Sequence, residues 1–177
     1  MIDNDFVYEP AINLDMGYLK NMVAEQQYAI KQGLAGHQRF VSEDPYLSSI
    51  RKELPFLSAV FNIYTTRPKA GIVMHTDAKR SCAFNIPIAN TENSTTTFYE
   101  FAEEPKLIYN ERFVFHEVRS KVNQLYQFTL AVPSLIDNSG PHEVRNLGDK
   151  SRVIISWSLE EGILFSQAKQ YFKQAGY

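Results

Sequence analysis

Two hydrophobic rhythms divide the chain near Pro55. Before it, apolar residues Leu14, Tyr18, Met22, Ala29 and Ile30 recur near helical spacing, after a capping Asn13 with Asp15 in the first turn, until Gly33 and Gly36 stop the run. The spacing predicts one amphipathic helix there. A shorter helix is predicted to open at Asp44-Pro45, where Asp caps and Pro suits the first helical position, and to end near Leu54 because Pro55 follows. From Phe56 the texture changes to short runs rich in Val, Ile, Thr, Phe and Tyr between turn residues, at 57–65, 82–88, 95–101, 113–118, 125–132 and 153–159. Many short strands at such spacing predict a mainly β fold with flanking α-helices, a sandwich or jelly roll whose two sheets face each other around a pocket. After Glu160, Leu164, Phe165, Ala168, Tyr171 and Phe172 return to helical spacing, which predicts a terminal helix against the outside of the sheets.

Composition narrows this to one domain over residues 1–177, with helical support at 1–55, a β core at 56–159 and a helix at 160–177. At 177 residues, 44% hydrophobic and 13% aromatic, the chain can bury one continuous core and has little left for a second. A net charge of -2 gives no basic footprint, so nucleic acid and anionic membranes are disfavoured as partners. Cys82 stands alone, and Met1 to Asp5 has neither the positive charge nor the apolar run of a secretory signal, so a reducing, cytoplasmic setting is expected. Polar residues interrupt every candidate membrane-spanning run.

The chemistry gathers at four residues. On a strand, positions i and i+2 point the same way, so His75 and Asp77 of His75-Thr76-Asp77 can present an imidazole and a carboxylate to one ion while Thr76 faces away. A third ligand, His142, follows the turn-rich Asp137-Asn138-Ser139-Gly140-Pro141 and opens a strand-like Glu143-Val144-Arg145-Asn146. Two imidazoles and one carboxylate on one face of Fe(II) leave the opposite positions open for an organic co-substrate and dioxygen. Asn146-Leu147-Gly148-Asp149-Lys150 carries turn chemistry before the next β run, so His142 and Arg152 are expected on adjacent antiparallel strands. If His142 pairs with Ile154, Arg152 lies two residues along, roughly 7 Å at the strand rise. A short dicarboxylate spans that gap, and guanidinium offers its far carboxylate two parallel donors.

At these residues the chain resembles the Fe(II)/2-oxoglutarate-dependent dioxygenases, whose pattern is H-x-D, a distant H, and an Arg about ten residues further on. The resemblance covers roughly residues 56–159. His75-Thr76-Asp77-Ala78-Lys79-Arg80, Phe84-Asn85-Ile86-Pro87-Ile88 and Pro141-His142-Glu143-Val144-Arg145-Asn146 look most like the prolyl- and aspartyl-hydroxylase-like branches. It implies a double-stranded β-helix (cupin-like jelly roll), iron held by His75, Asp77 and His142, and the co-substrate's distal carboxylate held by Arg152. It also implies that Tyr64 contacts the co-substrate, that O2 is consumed with release of succinate and CO2, and that ascorbate serves as reductant. Two departures matter. The Gly-Gly-Glu-Thr-like segment of prolyl hydroxylases reads here Thr91-Glu92-Asn93-Ser94-Thr95, and the R-x-N-x-x-x-R of nucleic-acid demethylases is absent at Arg152 to Ser158.

Other residues carry weaker signals. Asn85 and Asn146 are polar residues that can either hydrogen-bond into the pocket or satisfy backbone. Lys79 and Arg80 are read as solvated loop charges outside the site. His37 and His116 lack partner spacing, Trp157 fits the core or the pocket wall, and Cys82 fits a small buried hydrophobe. The expected lips of the pocket are the segments 33–42, 67–70 and 90–97. The expected activity is hydroxylation of a small molecule or of a protein or peptide side chain. The competing readings are a non-catalytic cupin-like module that binds metal or ligand, and a different reaction at the same metal.

Overall fold

Strands dominate the computed structural model, which describes residues 1–29, 36–41, 44–78, 80–111 and 115–177, with the side chains of 26–29 and 36–41 left aside. In chain order the elements are β1 (Val7–Tyr8), α1 (Met16–Ala29), β2 (Gly36–Val41), α2 (Pro45–Glu53), β3 (Leu57–Thr66), β4 (Gly71–Asp77), β5 (Cys82–Ala89), β6 (Ser94–Phe101), β7 (Leu107–Asn110), β8 (Phe115–Val118), β9 (Val122–Phe128), β10 (Ser134–Asp137), β11 (His142–Asn146), β12 (Arg152–Leu159) and α3 (Phe165–Gln174). They form two six-stranded antiparallel sheets, β1-β10-β5-β12-β3-β2 and β7-β8-β4-β11-β6-β9. This is the jelly-roll, double-stranded β-helix arrangement expected from the sequence.

The period of two along the strands decides which side chains meet which layer. Phe84, Ile86, Val153, Ile155, Trp157, Phe61 and Ile63 share one buried cluster with helical residues Leu19, Val23, Leu47, Ile50, Phe165, Ala168 and Phe172. The helices therefore cover the outer face of the first sheet, and burying these aliphatic and aromatic groups contributes about 1.5–3 kcal/mol each. Trp157 belongs to this core, its indole N–H donating to the Ser58 carbonyl at 2.8 Å. Cys82 is buried there as well, and burial pushes its thiol up to about 12. Between the sheets, Val7, Phe98, Phe128, Leu130, Ile136 and Ile154 form a second cluster, in which Phe98 stacks with Phe6, Tyr126 and Phe128. None of the helices among the described residues is long and apolar enough to cross a membrane.

Three expectations are corrected. Asp15, not Asn13, caps α1: its carboxylate accepts the Tyr18 N–H at 2.9 Å, and Leu14 and Met22 of the expected face pack on the core with Leu19 and Val23, while Tyr18 is 39% exposed and lies on Tyr46. Ile30 and Gly33 lie outside the described residues. The run expected at 125–132 is instead β9 at Val122–Phe128, with Leu125 and Val132 exposed. The largest correction concerns β11 and β12, which are not hairpin partners: β11 sits between β4 and β6 in one sheet, and β12 between β5 and β3 in the other. Both edges of each strand are already taken, so the turn-like segment after Asn146 crosses between layers. The His142–Ile154 pairing does not occur, which removes the basis of the spacing drawn from it; His142 pairs with His75 and Phe98, and Arg152 with Thr66.

Asn146 holds that crossover. Its amide Nδ2 lies 3.1, 3.0 and 2.8 Å from the carbonyls of Thr66, Arg67 and Lys150, and its Oδ1 accepts the Gly148 N–H at 3.1 Å. Of its two readings, backbone satisfaction is the one realised. Gly71 permits the neighbouring approach of β4 to β11, because a Cβ there would lie 2.6 Å from the Val144 carbonyl oxygen.

Candidate metal centre

His75 and Asp77 stand two residues apart at the end of β4, and His142 opens β11 directly opposite His75. Antiparallel register thus places all three on the inner face of the second sheet, where their ligand atoms lie within 4.8 Å of one another. The two imidazole centroids are 4.2 Å apart, packed beside Phe115 and Phe98. Both histidines are 5% exposed, so an ion held here would be largely shielded from solvent.

Hydrogen bonding selects which atoms face the centre. His75 Nδ1 lies 2.7 Å from the Val73 carbonyl and His142 Nδ1 lies 3.0 Å from the Gly140 carbonyl. A carbonyl only accepts, so each Nδ1 carries the proton and each Nε2 keeps its lone pair for a metal. Burial, reinforced by the neighbouring His142, pushes His75 down to about 4, so it is the neutral, ligating form at neutral pH. Asp77 receives its hydrogen bonds on one oxygen: Arg80 Nε at 2.5 Å and Asn138 Nδ2 at 2.9 Å both reach Oδ2. Its Oδ1 faces His75 Nε2 at 3.7 Å. Burial alone would raise this carboxyl, but Arg80 first, then His142 and His75, reverse that and hold it below the ordinary carboxylate range. Two imidazole Nε2 atoms and one carboxylate oxygen suit a divalent transition metal.

The centre opens into a cavity of about 390 Å³ between the sheets. On the opposite wall the alternation of β12 turns Arg152, Ile154 and Ser156 inward, while Val153, Ile155 and Trp157 face the helices. Arg152 is 2% exposed, its Nε has no hydrogen-bond partner, and no carboxylate pairs with it among the described residues. Burial pushes its guanidinium down to about 10, which leaves it charged at neutral pH without a counter-ion among the described residues. Asn85 is 9% exposed on the same cavity, and its Oδ1 is also unpartnered. Tyr64 lines the cavity and hydrogen-bonds Arg80.

The structure therefore brings the six sequence candidates His75, Asp77, His142, Arg152, Tyr64 and Asn85 to one cavity. Arg80 is a correction. It is not a solvated loop charge: its side chain is 24% exposed, it pairs with Asp77, donates from Nη1 to Ser156 Oγ at 3.0 Å, and lies 5.8 Å over the Tyr64 ring. Burial works against its charge, and Asp77 and Tyr64 outweigh that to raise its pKa. Its place three residues after Asp77 was the available signal. Asn138 and Ser156 gave none, because their partners are remote in the chain. Glu117, paired across strands with His75, also lines the cavity and carries an ion pair to the exposed Arg119 at 2.8 Å. His116 pairs with Thr76 and so shares the outward face of the sheet, away from the metal ligands. Of the expected lips, Thr96 reaches the cavity from 90–97, 67–70 gives no lining residue, and part of 33–42 lies outside the described residues, as does Lys79.

Fold and site together define a double-stranded β-helix with a candidate mononuclear metal centre. No family model matches the chain, and no curated protein matches it. Among solved structures, a prolyl-4-hydroxylase from Pseudomonas putida matches with a TM-score of 0.51 and 12% identity, over 88% of this chain and 93% of that one. At that identity the likeness shows the fold alone. An oxalate decarboxylase from Bacillus subtilis matches with a TM-score of 0.39, 11% identity and 76% of this chain; one from Lactobacillus farciminis with 0.32, 12% and 59%. The chain spans 28% and 25% of the length of those two proteins.

Proposed function

We propose that this protein is an Fe(II)- and 2-oxoglutarate-dependent oxygenase that hydroxylates a small molecule or a peptide or protein side chain. The observation that carries the reading is Arg152, a buried guanidinium whose Nε has no partner and which pairs with no carboxylate among the described residues, on the wall of the cavity that holds the His75, Asp77 and His142 cluster. An isolated buried charge is costly, and its retention here is accounted for by an anionic ligand that completes it. A metal chelator with a second, distal carboxylate satisfies both walls at once, and 2-oxoglutarate has that chemistry.

When bound, the metal supplies the redox chemistry that divides dioxygen between 2-oxoglutarate, released as succinate and CO2, and a hydroxyl placed on the substrate. The chain's own contribution is positioning. His75 and His142 offer Nε2 because Val73 and Gly140 hold the Nδ1 protons. Asp77 offers Oδ1, and Arg152 anchors the distal carboxylate. Phe115, Ile136, Val144 and Ile154 supply apolar cavity wall that limits water. Tyr64 and Asn85 present further polar atoms toward the co-substrate.

The test is turnover with Fe(II), 2-oxoglutarate and ascorbate, following succinate and O2. Succinate release that disappears in the Asp77→Ala protein supports the oxygenase. Metal-dependent binding of 2-oxoglutarate with no succinate under any condition replaces it with a binding module. Turnover of another kind that is indifferent to Arg152→Leu removes 2-oxoglutarate from the account.

A further inference from the structure

Arg80 links the metal-binding wall of the cavity to the opposite wall. Its Nε reaches Asp77 Oδ2 on the second sheet, and its Nη1 reaches Ser156 Oγ on the first, with Tyr64 of that sheet beneath the guanidinium. Asn138, 4% exposed and tied by its backbone N–H to the Ser81 carbonyl at 2.8 Å, approaches the same Oδ2 from a third side. Among the described residues, the two side-chain donors to this carboxylate thus converge on one oxygen.

From this geometry we infer that Arg80, assisted by Asn138, is a positioning residue that confines Asp77 to binding metal through Oδ1 alone. The inference rests on the metal reading above and adds a consequence to it. A carboxylate free on both oxygens can grip an ion with either one or two. With Oδ2 occupied by two donors, one of them cationic, the second grip is withdrawn. Were a metal held here, His75, Asp77 and His142 would each give it one donor atom and leave it free to take further ligands. The cation beside Asp77 has a second effect: it repels the metal and reduces the carboxylate's donor strength, so Arg80 weakens metal binding while keeping the coordination sphere open.

These two effects give an unusual sign. A residue that only supports the fold lowers metal affinity when removed, whereas Arg80 restrains it. The Arg80→Met protein keeps a long unbranched side chain against Tyr64 but loses charge and donors. Mn(II) is the probe, with affinity read by titration and exchangeable water positions by water-proton relaxation. Arg80→Met is expected to bind Mn(II) about tenfold more tightly, on the order of a screened pair of charges, and to show fewer exchangeable waters per bound ion. Arg80→Lys, which keeps the charge, is expected to retain near wild-type affinity. Unchanged or weaker affinity together with an unchanged water count in Arg80→Met overturns the inference. Should that variant fail to fold, Asn138→Ser is read by its water count: a fall supports the assignment and no change overturns it. A wild-type protein that binds no Mn(II) defeats the metal reading and the inference together, while wild-type binding with an indifferent Arg80→Met defeats the inference alone.

Discussion

Replacing Arg152 by leucine should stabilise the ligand-free protein and cut its stabilisation by 2-oxoglutarate to a third or less. The guanidinium is 2% exposed, and burial alone takes its pKa from 12.5 to about 10. At about 1.4 kcal/mol per pKa unit, that difference is a cost of about 3 kcal/mol for keeping the charge in the fold. Because the folded value is the lower one, the cost is full below pH 10 and fades only as pH rises toward 12.5; at neutral pH it is fully present. Leucine fits a strand position next to Ile154 on the same face of β12, but it forfeits packing along the arginine stem, so the net gain should be about 1–3 kcal/mol. At about 2–4 °C per kcal/mol for a chain of this size, Tm rises by several degrees. Binding moves the other way. Truncating one member of a buried charge pair costs about 2–5 kcal/mol, which weakens 2-oxoglutarate by thirtyfold or more. The assay is thermal unfolding of metal-loaded wild type and Arg152→Leu, each with and without 2-oxoglutarate. Wild type should gain about 2.7 kcal/mol at a ligand concentration a hundred times its Kd, and the variant at the same concentration about 0.9 kcal/mol or less. A less stable ligand-free variant, or one with the same ligand-induced shift as wild type, refutes the reasoning.

Three further outcomes follow from particular contacts. In the metal-free protein, His75 is held down to about 4 by burial first and His142 second, against an ordinary 6.5. The unfolded chain therefore takes up this proton first as pH falls. Stability should be intact above about 6.5 and decline by roughly 3 kcal/mol toward pH 4; urea titrations of wild type and His75→Gln across that window check it, and equal slopes would contradict it. Gly71→Ala sets a methyl 2.6 Å from the Val144 carbonyl oxygen, so β4 and β11 must part, at a cost of about 1–3 kcal/mol in unfolding and a measurable loss of Mn(II) affinity. Asn146→Ala withdraws the amide from three carbonyls at the crossover and should cost roughly 3 kcal/mol in chemical denaturation. A change below 1 kcal/mol would show that water replaces it.

The elements with strong local signals were legible. Asp44 and Pro45 set the start of α2, runs rich in Val, Ile, Thr, Phe and Tyr between turn residues marked β3, β5, β6 and β12, and helical spacing marked α3. Short strands such as β1, β7 and β10 escaped because two to four residues carry no measurable period, and their pairing partners supply the order. In the candidate site the shared face of His75 and Asp77 was readable from strand alternation, and His142 and Arg152 as residue types at their spacing, whereas the inward face of Arg152 had rested on a pairing with β11 that the two sheets do not make.

By itself, then, the sequence determined residue chemistry and local periodicity: two imidazoles, a carboxylate and an arginine, each with a face. Tertiary structure alone decided how those faces meet. It put His142 beside His75 in one sheet and Arg152 in the other, where chain order suggested a hairpin, because antiparallel strands choose neighbours by which edges are free. It also turned Arg80 from a loop charge into a link between two walls, since Asp77 is its neighbour in the chain whereas Ser156 and Tyr64 reach it only through folding. Periodicity is a property of a segment; charge compensation and the space left for a ligand are properties of segments brought together.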